Sequence, residues 1–300
     1  MSYDLTLARN VLVNRAAYAS VFVAITLIAA KFWAWWVTGS VSLQATFIDS
    51  LLDALTSLAN LFAVRMAMRP PDKFHRFGYG KSEAISALGQ AFVIFTSGLW
   101  LFYETLGKAM NPVAPKETMA GVFVMLLSVL LTGLLLVFQR HVIARTKSMA
   151  IRADAAHYRM DLVINVGVIF SLLAAQYEPL VWVDAFTGFV IGLYIVKSCI
   201  SVGREAINIL IDKELDSSVR RKIIQIINQA ADVRGYHDLR TRNSGNRFFI
   251  QCHLELNGTI SLLSAHKISV DVRTKLREAF PDADVLLHLD PEDDRDYDHG

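Results

Sequence analysis

The chain has little of what a soluble surface is made from. Only 19% of its residues are charged, 53% are hydrophobic, and the mean hydropathy is +0.36. That balance excludes an ordinary water-soluble domain and points to a membrane protein. No sign of charge dominates: 30 basic residues face 28 acidic ones, for a net charge of +2. A nucleic-acid partner is excluded, because such a partner calls for a clustered basic face. The two cysteines are Cys199, in an apolar run, and Cys252, in a polar region. They offer neither a disulfide framework nor a CxxC metal knuckle, so thiol chemistry is excluded as well. The opening MSYDLTLARN has no apolar core ending in a small-residue cleavage site, so no removed signal peptide is expected.

What the chain does have is long apolar runs. A bilayer-spanning helix needs about 20 mostly apolar residues. Six runs of that length precede residue 207, at roughly 16–37, 41–64, 84–106, 118–139, 154–177 and 180–203. Turn or charge signals separate them: Thr38-Gly39-Ser40, RPPDKFHRFGYGK, Asn111-Pro112 and Glu178-Pro179. Six spans put both termini on one side. Twelve basic residues gather there: Arg9, Arg15, Arg65, Arg69, Lys73, Arg76, Lys81, Arg140, Arg145, Lys147, Arg152 and Arg204. The opposite face shows only Lys108 and Lys116. Positive charge resists translocation, so both termini are expected in the cytoplasm.

After residue 207 the pattern becomes that of a small α+β domain. Asp216 can cap a helix through SSVRRKIIQIINQAA, whose Val219, Ile223, Ile226 and Ile227 recur at helical spacing. Two strand-like runs, DLRTRNS and NRFFIQCHLEL, flank a Ser-Gly-Asn turn and read as a hairpin. A helix over about 261–280 and the strand ADVLLHLD complete an α-β-β-α-β order, a ferredoxin-like arrangement over 207–290. The tail 291–300, PEDDRDYDHG, is too acidic and turn-rich to pack, and disorder is expected there.

Ionisable residues sit where lipid disfavours them. Asp49 and Asp53 lie inside the second run, and His157 and Asp161 lie early in the fifth, each pair at i,i+4 on one helical face. A charge at mid-membrane costs a few kcal/mol, so such residues face the interior of a helix bundle and mark an ion path. Helical rise places all four near the same depth. Three carboxylates and one imidazole make a four-ligand N/O set that suits tetrahedral Zn²⁺ and accepts Cd²⁺ or Fe²⁺.

The runs SLQATFIDSLLD, FGYGKSEAISAL, RADAAHYRMDL and HDLRTRNSG resemble the cation diffusion facilitators, specifically their bacterial zinc and ferrous-iron efflux subgroup. The resemblance covers nearly the whole chain. It implies that Asp49, Asp53, His157 and Asp161 form the transport site, and that the protein is a homodimer in the bacterial inner membrane. It also implies proton-coupled export of divalent metal. The loop between the second and third runs holds Asp72 and His75, a carboxylate and an imidazole that can share a metal. In the resembling pumps a further histidine often follows, where this chain has Tyr79.

A third group lies in the C-terminal domain. Strand alternation leaves His253 on the face opposite Phe248, Ile250, Cys252 and Leu254. It likewise leaves His288 and Asp290 opposite Val285, Leu287 and Leu289. With His237 entering from the preceding loop and His266 from the second helix, the set can hold two metals bridged by Asp290. The expected division is His237 and His253 on one metal, and His266 and His288 on the other. The family resemblance points the same way. Other in-span charges carry structural expectations. Lys31, Arg159 and Lys197 snorkel towards an interface and Asp154 caps the fifth span, while Asp184, near the outer end of the sixth, is open between a structural role and lining the exit. Trp33, Trp35 and Trp36 form an interfacial belt.

The expected function is metal/proton antiport by alternating access, exporting Zn²⁺ and also Fe²⁺ or Cd²⁺. The competing expectation is a membrane-embedded metal sensor, or a structural metal-binding protein, that never transports. An enzyme is not expected: HEXXH is missing, and four in-span ligands leave no open position for an activated water.

Overall fold

The apolar runs become six helices, and the chain folds them longer than the runs themselves. They are α1 (Ser2–Thr38), α2 (Val41–Ala67), α3 (Ser82–Met110), α4 (Met119–Thr146), α5 (Met149–Ala174) and α6 (Trp182–Leu210). Inside lipid the backbone must satisfy its own hydrogen bonds, and a helix does so residue by residue. The structure is a computed structural model describing residues 2–39, 41–110, 119–174, 182–245 and 247–292. The Asn111-Pro112 and Glu178-Pro179 turns, Lys116 and almost all of the acidic tail lie outside these residues. Five of the six helices are long and apolar enough to cross a membrane. The other is α5, 26 residues long, whose first half carries Arg152, Asp154, Arg159 and Asp161.

Residues 7–207 form one compact unit, and α5 is its packing hub, touching α2, α3 and α4. Its start is fixed by a side chain from another helix. Glu83, in the first turn of α3 and 1% exposed, accepts hydrogen bonds from Ser148 Oγ (2.7 Å) and the Met149 amide (3.0 Å). A carboxylate at this point caps orphan amides and opposes the positive end of the α5 dipole. Arg9 of α1 approaches the same carboxylate at 3.9 Å. Elsewhere the helices close on small residues: a Cβ added at Gly98 of α3 would lie 2.6 Å from Ile195 Cγ2 of α6.

Because α5 begins at Met149, Asp154 is not its cap. It is fully buried in the second turn, where Asp154 Oδ2 accepts from Ser20 Oγ (2.5 Å) and Gln139 Nε2 (2.7 Å). One turn further, the Tyr158 hydroxyl donates to the Ser20 carbonyl (3.0 Å) and pairs with Ser57 Oγ (2.9 Å). These contacts tie α1, α2, α4 and α5 together without leaving Asp154 unpaired, as a buried carboxyl requires.

The second unit, from residue 208 onward, has the expected element order: α7 (Ser217–Asn228), β1 (Gly235–Asn243), β2 (Phe248–Leu256), α8 (Leu262–Ala279) and β3 (Ala283–Pro291). The strands lie in the order β1-β2-β3, with β1 antiparallel and β3 parallel to β2. Ile223 and Ile227 of α7, Val272 and Leu276 of α8, and Ile250, Cys252, Leu254, Val285 and Leu287 of the sheet make one apolar core. Both helices therefore cover one face of the sheet, and the other face is left for polar groups. Asp216 does not cap α7 with its side chain; its carbonyl accepts from the Val219 and Arg220 amides instead. The α8 cap is Ser261, whose hydroxyl accepts from the Ser264 amide. Buried in the core, with the Asp238 charge nearby, the Cys252 thiol is pushed up to about 12.

Candidate metal centres

Helices α2 and α5 bring their ionisable pairs together. His157 Nε2 lies 3.0 Å from Asp53 Oδ1 and 3.8 Å from Asp161 Oδ2. Ligating atoms of Asp53, His157 and Asp161 all fall within 4.8 Å of one another, the spacing a single ion needs. Residues on α2 and α5 more than a hundred positions apart thus meet because both sit at mid-helix. The imidazole is 3% exposed and both carboxylates about one-fifth exposed, so the group is sheltered but reachable. His157 Nδ1 is buried with no hydrogen-bond partner among the described residues.

Asp49 stands one turn from Asp53 and outside the tight trio. It lines a cavity of about 170 Å³ that it shares with Asp53, Asp161, Ser50, Thr46 and Asn165. Lys31 lines the same cavity and donates from Nζ to Ser50 Oγ at 2.7 Å. This corrects the snorkelling expectation for Lys31: the hydroxyl and the cavity offer its ammonium a polar environment without leaving the bundle. Arg159 and Lys197 are exposed. The side chain of Asp184 lies outside the described residues.

The loop residues do different work. Asp72 Oδ1 accepts from the Phe74 and His75 amides (2.8 and 2.7 Å), and Asp72 Oδ2 accepts from the Tyr79 hydroxyl (2.7 Å). The Tyr79 hydroxyl first, then the His75 and Phe74 amides, hold the Asp72 carboxyl down at about 2. His75 Nδ1 lies 3.6 Å from Asp72, and its ring sits 4.4 Å from that of Tyr79. Among the described residues no third ligating group joins Asp72 and His75. The carboxylate closes an Asx turn, and Tyr79 serves that turn.

The C-terminal domain holds a row of histidines. His237, His253 and His288 occupy matching positions on β1, β2 and β3, with neighbouring ring centroids 5.0 and 4.7 Å apart. Two residues along, Asp290 reaches all three. Its Oδ2 lies 2.8 Å from His253 Nδ1 and 3.4 Å from His237 Nε2, and its Oδ1 lies 3.2 Å from His288 Nε2. His237 enters from β1, not from a preceding loop. A bulge between His237 and Arg240, with Asp238 at φ 51°, adds one residue to the strand and aligns His237 with His253. Glu255, absent from the expected ligands, also belongs here: its Oε1 lies 3.0 Å from His237 Nδ1. It shares the parity of His253, which is the signal that finds it.

The donor set fits resident metal ions. Neutral imidazoles and carboxylates are the ligands of zinc-class dications, and one Asp290 oxygen faces two histidines while the other faces the third. His266 is not brought to this face. It is exposed on α8, one residue from the buried Ala265, and α8 packs against the opposite face of the sheet.

Comparison with known proteins covers both units. A family profile described as "Cation efflux transmembrane domain" matches residues 17–211, and "Cation efflux protein, cytoplasmic domain" matches residues 215–292. A "Cation-efflux pump FieF" of Cronobacter sakazakii is 41% identical over 280 residues, spanning 93% of each chain. "Protein p34" of Rickettsia rickettsii is 39% identical over 287 residues, spanning 95% of this chain and 94% of that one. Among solved structures, a putative zinc transporter CzrB in its zinc form is 28% identical, with a TM-score of 0.25, over 29% of this chain and 99% of its own. The metal-bound C-terminal domain of the CzcD transporter from Thermotoga maritima is 25% identical, with a TM-score of 0.25, over 26% of this chain and 94% of its own.

Proposed function

The chain belongs to the cation efflux family, and from that premise we propose that it exports divalent metal from the cytoplasm in exchange for protons, with Zn²⁺ as principal cargo and Fe²⁺ and Cd²⁺ also carried. The observation that carries this reading is the trio Asp53, His157 and Asp161, three ligating groups gathered at mid-helix in a membrane unit. A dication entering the trio exchanges its water shell for two carboxylates and an imidazole, and Asp49 one turn away supplies the next oxygen.

Binding requires deprotonated carboxylates and neutral imidazole, so loading releases protons and unloading takes them back. One group of residues then serves both ions. An inward proton gradient draws metal outward, at about 2.3 kcal/mol per elementary charge for each 100 mV. With both termini in the cytoplasm, the cavity extends from the trio towards the outer ends of α1, α2 and α4, along Lys31, Thr46 and Met125. On the cytoplasmic side, the buried Ser20–Asp154–Gln139 contacts and the Tyr158–Ser57 pair close the bundle one turn below.

The cytosolic row would hold zinc on His237, His253 and Asp290, with His288 at the other Asp290 oxygen. Metal there supplies cross-strand ligation. The residues themselves keep β1, β2 and β3 in register, and Glu255 orients His237 through Nδ1. Resident metal on this face accords with a homodimer whose cytosolic domains respond to metal.

The test is zinc uptake into sealed proteoliposomes under an imposed pH gradient. Wild-type flux should reverse direction with the gradient, and Asp53→Ala and Asp161→Ala should abolish it while zinc still binds the cytosolic row. Gradient-independent binding without flux would make the protein a sensor.

A further inference from the structure

The mechanism above uses three acids and an imidazole but leaves an ammonium in their midst. Lys31 lies seven residues before the end of α1, inside an apolar helix. Its Nζ donates to Ser50 Oγ at 2.7 Å, and Ser50 is 2% exposed and adjacent in sequence to Asp49. The same cavity of about 170 Å³ is lined by Lys31, Asp49, Asp53 and Asp161. Among the described residues no other lysine or arginine lines it. A lysine carried into a membrane interior is costly unless acidic groups offset its charge, and three carboxylates line the same cavity.

The formal charge of the cavity follows. With His157 neutral, Asp49, Asp53 and Asp161 carry three negative charges and Lys31 returns one positive charge. The net value is two negative, which a dication neutralises. A monovalent ion leaves the cavity negative and a trivalent ion leaves it positive, and in a low-dielectric interior either residue of charge is unfavourable. Without the ammonium, the same cavity matches a trivalent ion and holds a dication too tightly to release it.

Resting on the transport function proposed above, we propose that Lys31 is a resident counter-cation that fixes the cavity charge at two negative, selects divalent cargo and keeps the loaded site exchangeable. It does not ligate metal. It acts through field and through its hold on Ser50, next to Asp49.

Full-length wild type, Lys31→Met, Lys31→Gln and Lys31→Arg are compared in proteoliposomes, measuring initial zinc flux against zinc concentration and its inhibition by La³⁺. Loss of a unit charge several ångströms from a dication corresponds to at least about a tenfold change in affinity at an effective dielectric near 20. The neutral variants should therefore show KM lowered at least about tenfold, kcat lowered because release slows, and La³⁺ inhibition strengthened by a larger factor, about thirtyfold or more, because a trivalent ion feels the lost charge one and a half times as strongly as a dication. Lys31→Arg should keep KM and La³⁺ inhibition within about threefold of wild type, since it keeps the charge. A lysine that only packs or hydrogen-bonds does not move La³⁺ inhibition, so the two roles separate. Glutamine stands in should methionine fail to fold. The proposal is overturned if both neutral variants keep wild-type KM and La³⁺ inhibition, or if their KM rises. It then fails alone, with wild-type flux and its loss in Asp53→Ala intact; absence of wild-type flux overturns the transport function itself.

Discussion

Replacing Asp290 by asparagine keeps the shape of the side chain and removes the charge that faces three imidazoles at 2.8, 3.4 and 3.2 Å. Zinc at about 100 times its Kd stabilises a folded domain by about 2.7 kcal/mol through mass action. A shared anionic ligand is worth at least the upper end of the tenfold to hundredfold range typical of outer-shell partners, so about a hundredfold weaker binding is expected. The same zinc concentration then contributes only about 0.4 kcal/mol. At roughly 4–8 °C per kcal/mol for a domain of this size, about 9–18 °C of zinc-induced shift in Tm should disappear. The assay is thermal unfolding of a fragment starting at Asn208, which carries its own apolar core, with and without zinc. Without metal, the two proteins should melt within a few degrees of one another, because asparagine still accepts and donates hydrogen bonds. An asparagine variant that keeps the full zinc-induced shift refutes the bridging role.

Three other outcomes are expected. Tyr79→Phe removes the strongest of the three hydrogen bonds that hold Asp72 down at about 2, so its carboxyl should titrate closer to the usual value near 3.8 in an NMR titration. In the wild type this contribution is fully present above that ordinary value and is lost as pH falls towards about 2; unchanged titration in the variant would refute it. Cys252, buried and pushed up to about 12, should resist a thiol reagent at pH 8 until the domain unfolds, and prompt labelling of native protein would contradict this. Glu83→Ala removes the acceptor of the Ser148 hydroxyl and the Met149 amide at the start of α5, and should destabilise the membrane unit by about 2–4 kcal/mol. Wild-type melting of the detergent-solubilised variant would contradict that.

Some of this was legible in the sequence because the periods are strict. An i,i+4 pair must share a helix face, so Asp49 with Asp53 and His157 with Asp161 could be oriented from numbering alone. Strand period two did the same for His253, His288 and Asp290. His237 is legible as a ligand but not as a strand residue, because a bulge at Asp238, with its positive φ, shifts parity by one residue, and nothing in the letters DLRTR announces it. His266 was assigned from proximity in sequence to the strands, whereas the core places α8 on the far side of the sheet. Lys31 was missed for a different reason. A lone charge in an apolar stretch satisfies itself equally by reaching an interface or by facing a polar cavity, and the residues flanking Lys31 are apolar on all sides. Asp154 was read as a cap because the start of α5 was placed too late, and its partners Ser20 and Gln139 come from α1 and α4.

The account stands on a dication being held by Asp53, His157 and Asp161 within the membrane unit. X-ray absorption at the zinc edge, on full-length protein with His237→Ala, His253→Ala and His288→Ala substitutions, isolates that centre. The predicted spectrum is a first shell of about four nitrogen and oxygen ligands near 2.0 Å, one of them imidazole, which vanishes on further Asp161→Ala substitution. Protein that retains no zinc, or zinc surrounded by oxygen alone, would contradict it.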